Sequence, residues 1–184
     1  MTINRFKVNL VEQFADMTTL LRPPGTMQEI YQSLPESTPV QLINNQLVLW
    51  LTPKDIHHKI KGKLLFSINK FIAENNLGKI RIAPSDVYLN EENIYQPDIY
   101  FISQQNLSGF QEDGFHGAPD LVIEILSPGT EKHDKTYKLK VYEACGVREY
   151  WLVNPKIKKP LVILTPMAVL NLFVRKQINS PLNY

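Results

Sequence analysis

The chain has 184 residues, 43% of them hydrophobic and 21% charged, with 8 Gly and 13 Pro; that is enough for one ordinary domain with a real core, and it excludes disordered, collagen-like and low-complexity classes. The 20 Lys and Arg against 18 Asp and Glu leave a formal charge of +2, too small to argue by itself for a nucleic-acid partner. A single cysteine, Cys145, excludes an internal disulfide and a cysteine zinc cage and points to a reducing, cytoplasmic setting, and Arg5, Lys7, Glu12 and Asp16 break any apolar stretch that would serve as a secretion signal or membrane span.

Thr26 and Glu29 have capping-box spacing ahead of a short helix to Leu34, which Pro35 and Pro39 stop. Two apolar runs, Val40 to Ile43 and Leu47 to Leu51, flank Asn44 and Asn45 and signal a hairpin. Thr52, Pro53 and Asp55 supply an N-cap, a first-turn proline and a capping acid for a helix with apolar residues at Ile56, Ile60, Leu64, Ile68, Phe71 and Ile72, ending near Gly78. Three strand-like runs follow, Lys79 to Leu89, Ile94 to Ser103 and Leu121 to Ser127. The last is almost wholly apolar and is expected at the centre of its sheet. A second helix runs from about Thr130 to Cys145, closed by Gly146, before a strand at Glu149 to Val153 and an apolar run at Leu161 to Leu164. This order predicts an α/β or α+β sheet with helices packed on it.

Polar residues placed where polarity is costly mark the candidate site. Glu124 sits inside Leu-Val-Ile-Glu-Ile-Leu, where an ionised carboxylate needs a partner, a metal or a raised pKa. Asp98, in Gln-Pro-Asp-Ile-Tyr-Phe-Ile, opens the preceding strand. For each acid the structural alternative is pairing with a lysine or with backbone amides. Asp120 competes as the partner of Glu124, but four residues along one strand separate the two by ~13 Å, whereas Asp98 on a neighbouring strand ~4.8 Å away can share an ion with Glu124. Asp120 is therefore expected to cap the strand entrance.

On the second helix, Lys138 shares the stripe of Val141, Tyr142 and Cys145, with Asp134 one turn earlier. The lysine points at the sheet, either as part of a site or as a snorkelling side chain paired with Asp134. His57 lies at the border of the first helix's buried face and His58 turns away. Lys54, Lys59, Lys61, Lys63 and Lys70 crowd the first helix, and Lys132, Lys135, Lys138 and Lys140 the second; each cluster suits either phosphate contact or a solvated face. Two carboxylates on adjacent strands are what Mg²⁺ needs, so these residues suggest metal-dependent phosphodiester hydrolysis by an activated water. Phosphate-loop, dinucleotide, His-Glu-x-x-His and Gly-x-Ser-x-Gly motifs are missing.

Gln96-Pro97-Asp98, the segment Gly117 to Pro128, Asp134, Lys138-Leu139 and the segment Tyr142 to Pro155 together resemble the Uma-two family of restriction-endonuclease-like proteins, over about residues 26 to 165. The resemblance implies the PD-(D/E)XK nuclease fold, a mixed sheet flanked by helices with an α-β-β-β-α-β core and an N-terminal β-hairpin. It makes Asp98 and Glu124 the metal ligands. Position 126, where the usual lysine would stand, is Leu126, and Lys138 matches the variants whose lysine has moved to the following helix. His57 matches the family's first-helix histidine. Residues 1 to 25 are expected to form an arm outside a single domain spanning 26 to 184. Two departures stand out: Asn45-Gln46 replaces the hairpin's usual Gly-Glu, and Asn171 to Tyr184 do not resemble the usual closing strands.

The expectation is an endonuclease of DNA using Mg²⁺, with Mn²⁺ as an alternative ion, acting as a homodimer without a membrane partner. The competing class is a catalytically inactive nucleic-acid-binding or assembly module on the same fold.

Overall fold

The computed structural model describes residues 25–35, 38–49, 53–156 and 161–164. Helix α1, Met27–Gln32, begins on the expected capping box: Thr26 Oγ1 accepts from the Glu29 amide at 3.2 Å, and Glu29 Oε2 accepts from the Thr26 amide at 3.0 Å. Strands β1, Val40–Ile43, and β2, Gln46–Leu49, pair antiparallel. Asn44 and Asn45 between them have φ of 48° and 59°, the left-handed pair that matches strand twist in a two-residue hairpin.

Helix α2, Asp55–Glu74, buries Ile60, Leu64, Ile68 and Ile72 along one stripe. It starts later than the sequence suggested. Lys54 is the cap residue, extended at φ −75° and ψ 159°, so Pro53 precedes the helix instead of filling its first turn; Thr52 lies outside the described residues. The helix also ends earlier, at Glu74, and Gly78 opens the next strand. That glycine has φ 152°, and a Cβ there would fall 2.0 Å from the Ile102 carbonyl oxygen. Backbones approach too closely for any other residue.

Two expected strands are each broken in two. Lys79 to Leu89 divides into β3, Gly78–Ile82, and β4, Val87–Asn90. Ile94 to Ser103 divides into β5, Asn93–Tyr95, and β6, Ile99–Ser103. Pro84 and Pro97 fall in the gaps. A proline has no N–H to give a ladder, and the chain leaves one sheet and enters another there, the apolar residues resuming within a few positions. After β7, Phe115–His116, and β8, Leu121–Ile125, the second helical segment comprises α3, Glu131–His133, a π-helical stretch Asp134–Lys138, and α4, Leu139–Cys145. Gly146 closes it at φ 91°. Strands β9, Glu149–Val153, and β10, Leu161–Leu164, follow.

The described residues form two five-stranded sheets, ordered β2-β1-β5-β4-β7 and β10-β9-β8-β6-β3. The second is the mixed sheet expected: β8 is central, antiparallel to β6 and parallel to β9. Its chain order of α2, β3, β6, β8, the second helical segment and β9 is the α-β-β-β-α-β core, while the hairpin joins β4, β5 and β7 in the first sheet.

Alternation on the second sheet divides the core. Ile99, Phe101, Leu121, Ile123 and Ile125 meet the α2 stripe. Tyr100, Ile102, Val122 and Leu152 face the other way, against Tyr142 of α4 and Val87, Tyr95 and Phe115 of the first sheet. Tyr31 of α1 covers the first sheet's far side with Leu42 and Ile94. No helix among the described residues is long and apolar enough to cross a membrane. Ile68 is 0% exposed in the layer between α2 and the sheet, so Ile68→Ala should cost ~2 to 5 kcal/mol, read as a lower urea midpoint at unchanged slope.

Candidate active site

Strand register brings the two acids together. Ile99 pairs with Ile123 and Tyr100 with Val122, and carrying that register one residue further sets Asp98 opposite Glu124. The Asp98 amide donates to Glu124 Oε2 at 3.4 Å, and the Ile125 amide donates to Asp98 Oδ2 at 2.9 Å. Each carboxylate is thus tied to backbone beside the other. Both line one cavity of ≈ 500 Å³, together with His57, Lys61, Asp134 and Lys138. Asp120 is elsewhere: it accepts from the Ser103 amide at 2.7 Å and lies 3.2 Å from Arg148 Nη1, holding the opposite end of β8 as the sequence suggested.

The π-helical stretch turns Asp134 and Lys138 inward, both buried. Lys138 Nζ donates to Glu124 Oε1 at 2.9 Å and lies 3.2 Å from Asp134 Oδ1, an ion pair rather than an aligned hydrogen bond. The same ammonium sits 5.7 Å from the centre of the Tyr95 ring. Tyr142, one turn beyond Lys138, donates its hydroxyl to Glu124 Oε1 at 3.1 Å, and Tyr150 donates to the Asp134 carbonyl at 2.9 Å. The pairing of Lys138 with Asp134 weighed from the sequence is present, but Glu124 is the shorter contact.

His57 Nε2 lies 2.9 Å from Asp98 Oδ2, while its Nδ1 is buried without a hydrogen-bond partner among the described residues. His58 is exposed, as its helical phase requires. One turn past His57, Lys61 Nζ lies 3.8 Å from Asp98 Oδ1. Gln46, half of the departure noted in the hairpin, is exposed and does not line the cavity.

Sequence reasoning missed the polar brace behind Asp98. The Gln96 amide donates to Gln41 Oε1 at 3.1 Å, and Asp86 Oδ1 accepts from Gln96 Nε2 at 2.8 Å and from the Tyr31 hydroxyl at 2.9 Å. This network fixes Gln96-Pro97-Asp98 where the chain passes between sheets. Lys61 was read only as one of a lysine cluster, although its four-residue spacing from His57 was a legible sign that the two share a face.

Burial pushes the Glu124 carboxyl up to about 7; Lys138 opposes the shift, and the Asp134 and Asp98 charges add to it. For Lys138, burial works to lower the pKa, but Glu124 and Asp134 outweigh it and hold the ammonium above the ordinary lysine value. Burial first, then Glu124, raises Tyr142 well above the ordinary tyrosine value, so its hydroxyl stays protonated as a donor. Among the described residues two oxygens keep spare acceptor capacity: Asp98 Oδ1, with only Lys61 at 3.8 Å, and Glu124 Oε2, with only the Asp98 amide at 3.4 Å. Such a hard oxygen pair fits Mg²⁺ or Mn²⁺, which can complete their coordination with water. Among the described residues no group of three or more His, Cys, Asp and Glu is placed to hold a metal, so a closed cage of zinc type is not offered.

The family model Uma2, described as "Putative restriction endonuclease", matches residues 27–166. Five solved chains resemble the fold. One is described as "a putative nuclease belonging to DUF820" from Anabaena variabilis ATCC 29413, with 21% identity and a TM-score of 0.65 over 78% of this chain and 82% of that one. No curated protein matches the chain.

The raised Glu124 pKa has a definite sign in stability. A carboxyl whose folded pKa lies above its ordinary 4.5 favours folding fully below that value, and the contribution is lost as pH rises through about 7. The metal-free wild type should therefore lose melting temperature relative to Glu124→Gln across that window, with the difference levelling above it. Parallel pH series of thermal unfolding in chelator check this.

Proposed function

Because the chain belongs to the Uma2 family, we propose that it is a metal-dependent endonuclease that hydrolyses phosphodiester bonds of DNA, with Asp98 and Glu124 as the ligands of Mg²⁺ or Mn²⁺. The observation that carries this reading is the mutual tie between the acids, the Asp98 amide on Glu124 and the Ile125 amide on Asp98, which leaves one lightly engaged oxygen on each facing a shared cavity. When bound there, the ion supplies a water of lowered pKa and polarises the phosphate.

The chain's own groups do the rest. Lys138 and Tyr142 hold Glu124 Oε1, at 2.9 Å and 3.1 Å, so that Oε2 is the oxygen that would be left for an ion. His57 and the Ile125 amide hold Asp98 Oδ2 in the same way. With Glu124 ionised, Lys54, Lys61 and Lys138 balance Asp98, Glu124 and Asp134 around the cavity, so the charges are even before anything binds. A divalent ion then leaves a net positive site for an anionic phosphodiester. Pro53, Pro84, Ile125 and Pro128 contribute apolar wall, which strengthens these interactions by limiting water.

One observation favours the inactive-module reading: Lys138 is already fully engaged by two acids, as a purely structural ion network would be. Glu124→Gln separates the two. On both readings the variant takes a partner from buried Lys138 and should lower the metal-free melting temperature; if Glu124 is a ligand it should also lose Mg²⁺-dependent plasmid cleavage and the Mg²⁺-induced rise in melting temperature, and if it is only a structural partner any metal-induced rise should stay intact. Cutting both strands calls for two sites, and a twofold dimer supplies them. Sedimentation should show a dimer at micromolar concentration, and a monomer would limit the enzyme to nicking.

A further inference from the structure

On the nuclease reading just given, we infer that Lys61 is the side chain that meets the phosphate of the DNA substrate, and that Lys138 is a positioning residue that does not leave its acids. The two lysines line the same cavity but are held very differently. Lys138 is 5% exposed at its side chain and lies 2.9 Å from Glu124 Oε1 and 3.2 Å from Asp134 Oδ1. Moving it to a phosphate would strand two buried carboxylates without their cation.

Lys61 is free of that constraint. Its side chain is 14% exposed, and its ion-pair partner among the described residues is Asp98 Oδ1 at 3.8 Å, beyond hydrogen-bonding reach. The stem is packed and the head is loosely held, on the turn of α2 that follows His57. This is a cation in waiting at one of the two acid oxygens with spare capacity among the described residues. Lys61 gives up Asp98 Oδ1 once that oxygen is claimed by a divalent ion, because like charges repel at such short range. Its flexible stem and three donors then carry the charge to a phosphate oxygen in the same cavity. Lys54, exposed at the same helix end, lines the cavity beside it, so a DNA backbone entering the cleft meets a positive charge before it meets the buried Glu124 and Asp134.

The role makes two effects of opposite sign, which a merely structural lysine would not produce. Binding of a short fluorescein-labelled DNA duplex should be measured by anisotropy across a salt series, with Ca²⁺ in place of Mg²⁺ to keep the duplex uncut. Mn²⁺ binding should be titrated without DNA by electron paramagnetic resonance. For Lys61→Gln the duplex should bind about tenfold more weakly, with a salt-dependence slope shallower by about 0.9, the signature of one lost phosphate contact. Mn²⁺ should bind several-fold more tightly, because a competing charge beside Asp98 is gone. Lys61→Arg should restore the slope. A wild type that cuts DNA while Lys61→Gln keeps both its slope and its Mn²⁺ affinity overturns the assignment of Lys61 and leaves the nuclease reading standing. A wild type that binds Mn²⁺ yet neither binds nor cuts DNA overturns both.

Discussion

The structure depends on a charge carried into the middle of a sheet. Glu124 lies on β8, the central strand, whose five residues are all buried, and a carboxylate there is tolerated only with a cation and donors at hand. Lys138 and Tyr142 provide them from the helix packed on that face. The helix in turn needs Asp134, because one carboxylate does not satisfy a buried ammonium. Neutralising one strand residue therefore fixes the rotation of an entire helix against the sheet, and a helix fixed so closely gives Glu124 one orientation. The same requirement that makes the residue costly makes it aimed.

Asp98 is positioned by a different device. Two prolines, Pro84 and Pro97, end strands that the apolar pattern would have continued, and each break hands the chain from one sheet to the other. Asp98 stands at the second of these crossings, with its amide and carboxylate still in register with β8. The crossing would leave backbone and side-chain polar groups unmet if it ran loose. Gln41, Asp86 and Tyr31 meet them from the first sheet and α1. The first sheet is thus a support for the second sheet's acid as well as a layer of core.

Much of this was legible in the sequence for a plain reason: a charged residue interrupting a strong period is conspicuous. Glu124 breaks an apolar run, and Lys138 breaks an apolar helical stripe; both proved buried and in contact. The capping box at Thr26 and the Asn-Asn turn were equally readable, because local hydrogen bonding decides them. What stayed hidden depended on pairing between distant segments. Ala83 to Asp86 and Gln96 to Asp98 interrupt the apolar runs only briefly, each with one proline, so the pattern does not announce that the runs divide between two sheets. Lys61 looked like one lysine among five, since only the seating of α2 against Asp98 sets it apart from Lys59, whose head reaches Asp55 at the exposed helix end.

The π-helical stretch at Asp134–Lys138 carries a further consequence, for how such a site comes to exist. A π turn is the shape a helix takes when a single residue is added without disturbing its ends. Deleting one residue between Asp134 and Lys138 would return the helix to ordinary pitch without turning its ends, but would leave the two residues three apart instead of four and so change the aim of the lysine head between Asp134 and Glu124. The lysine's place on the helix is therefore a matter of chain count as much as of residue identity. A length change of one in this segment therefore acts on the spacing of the ion network and on none of the residues of the sheet.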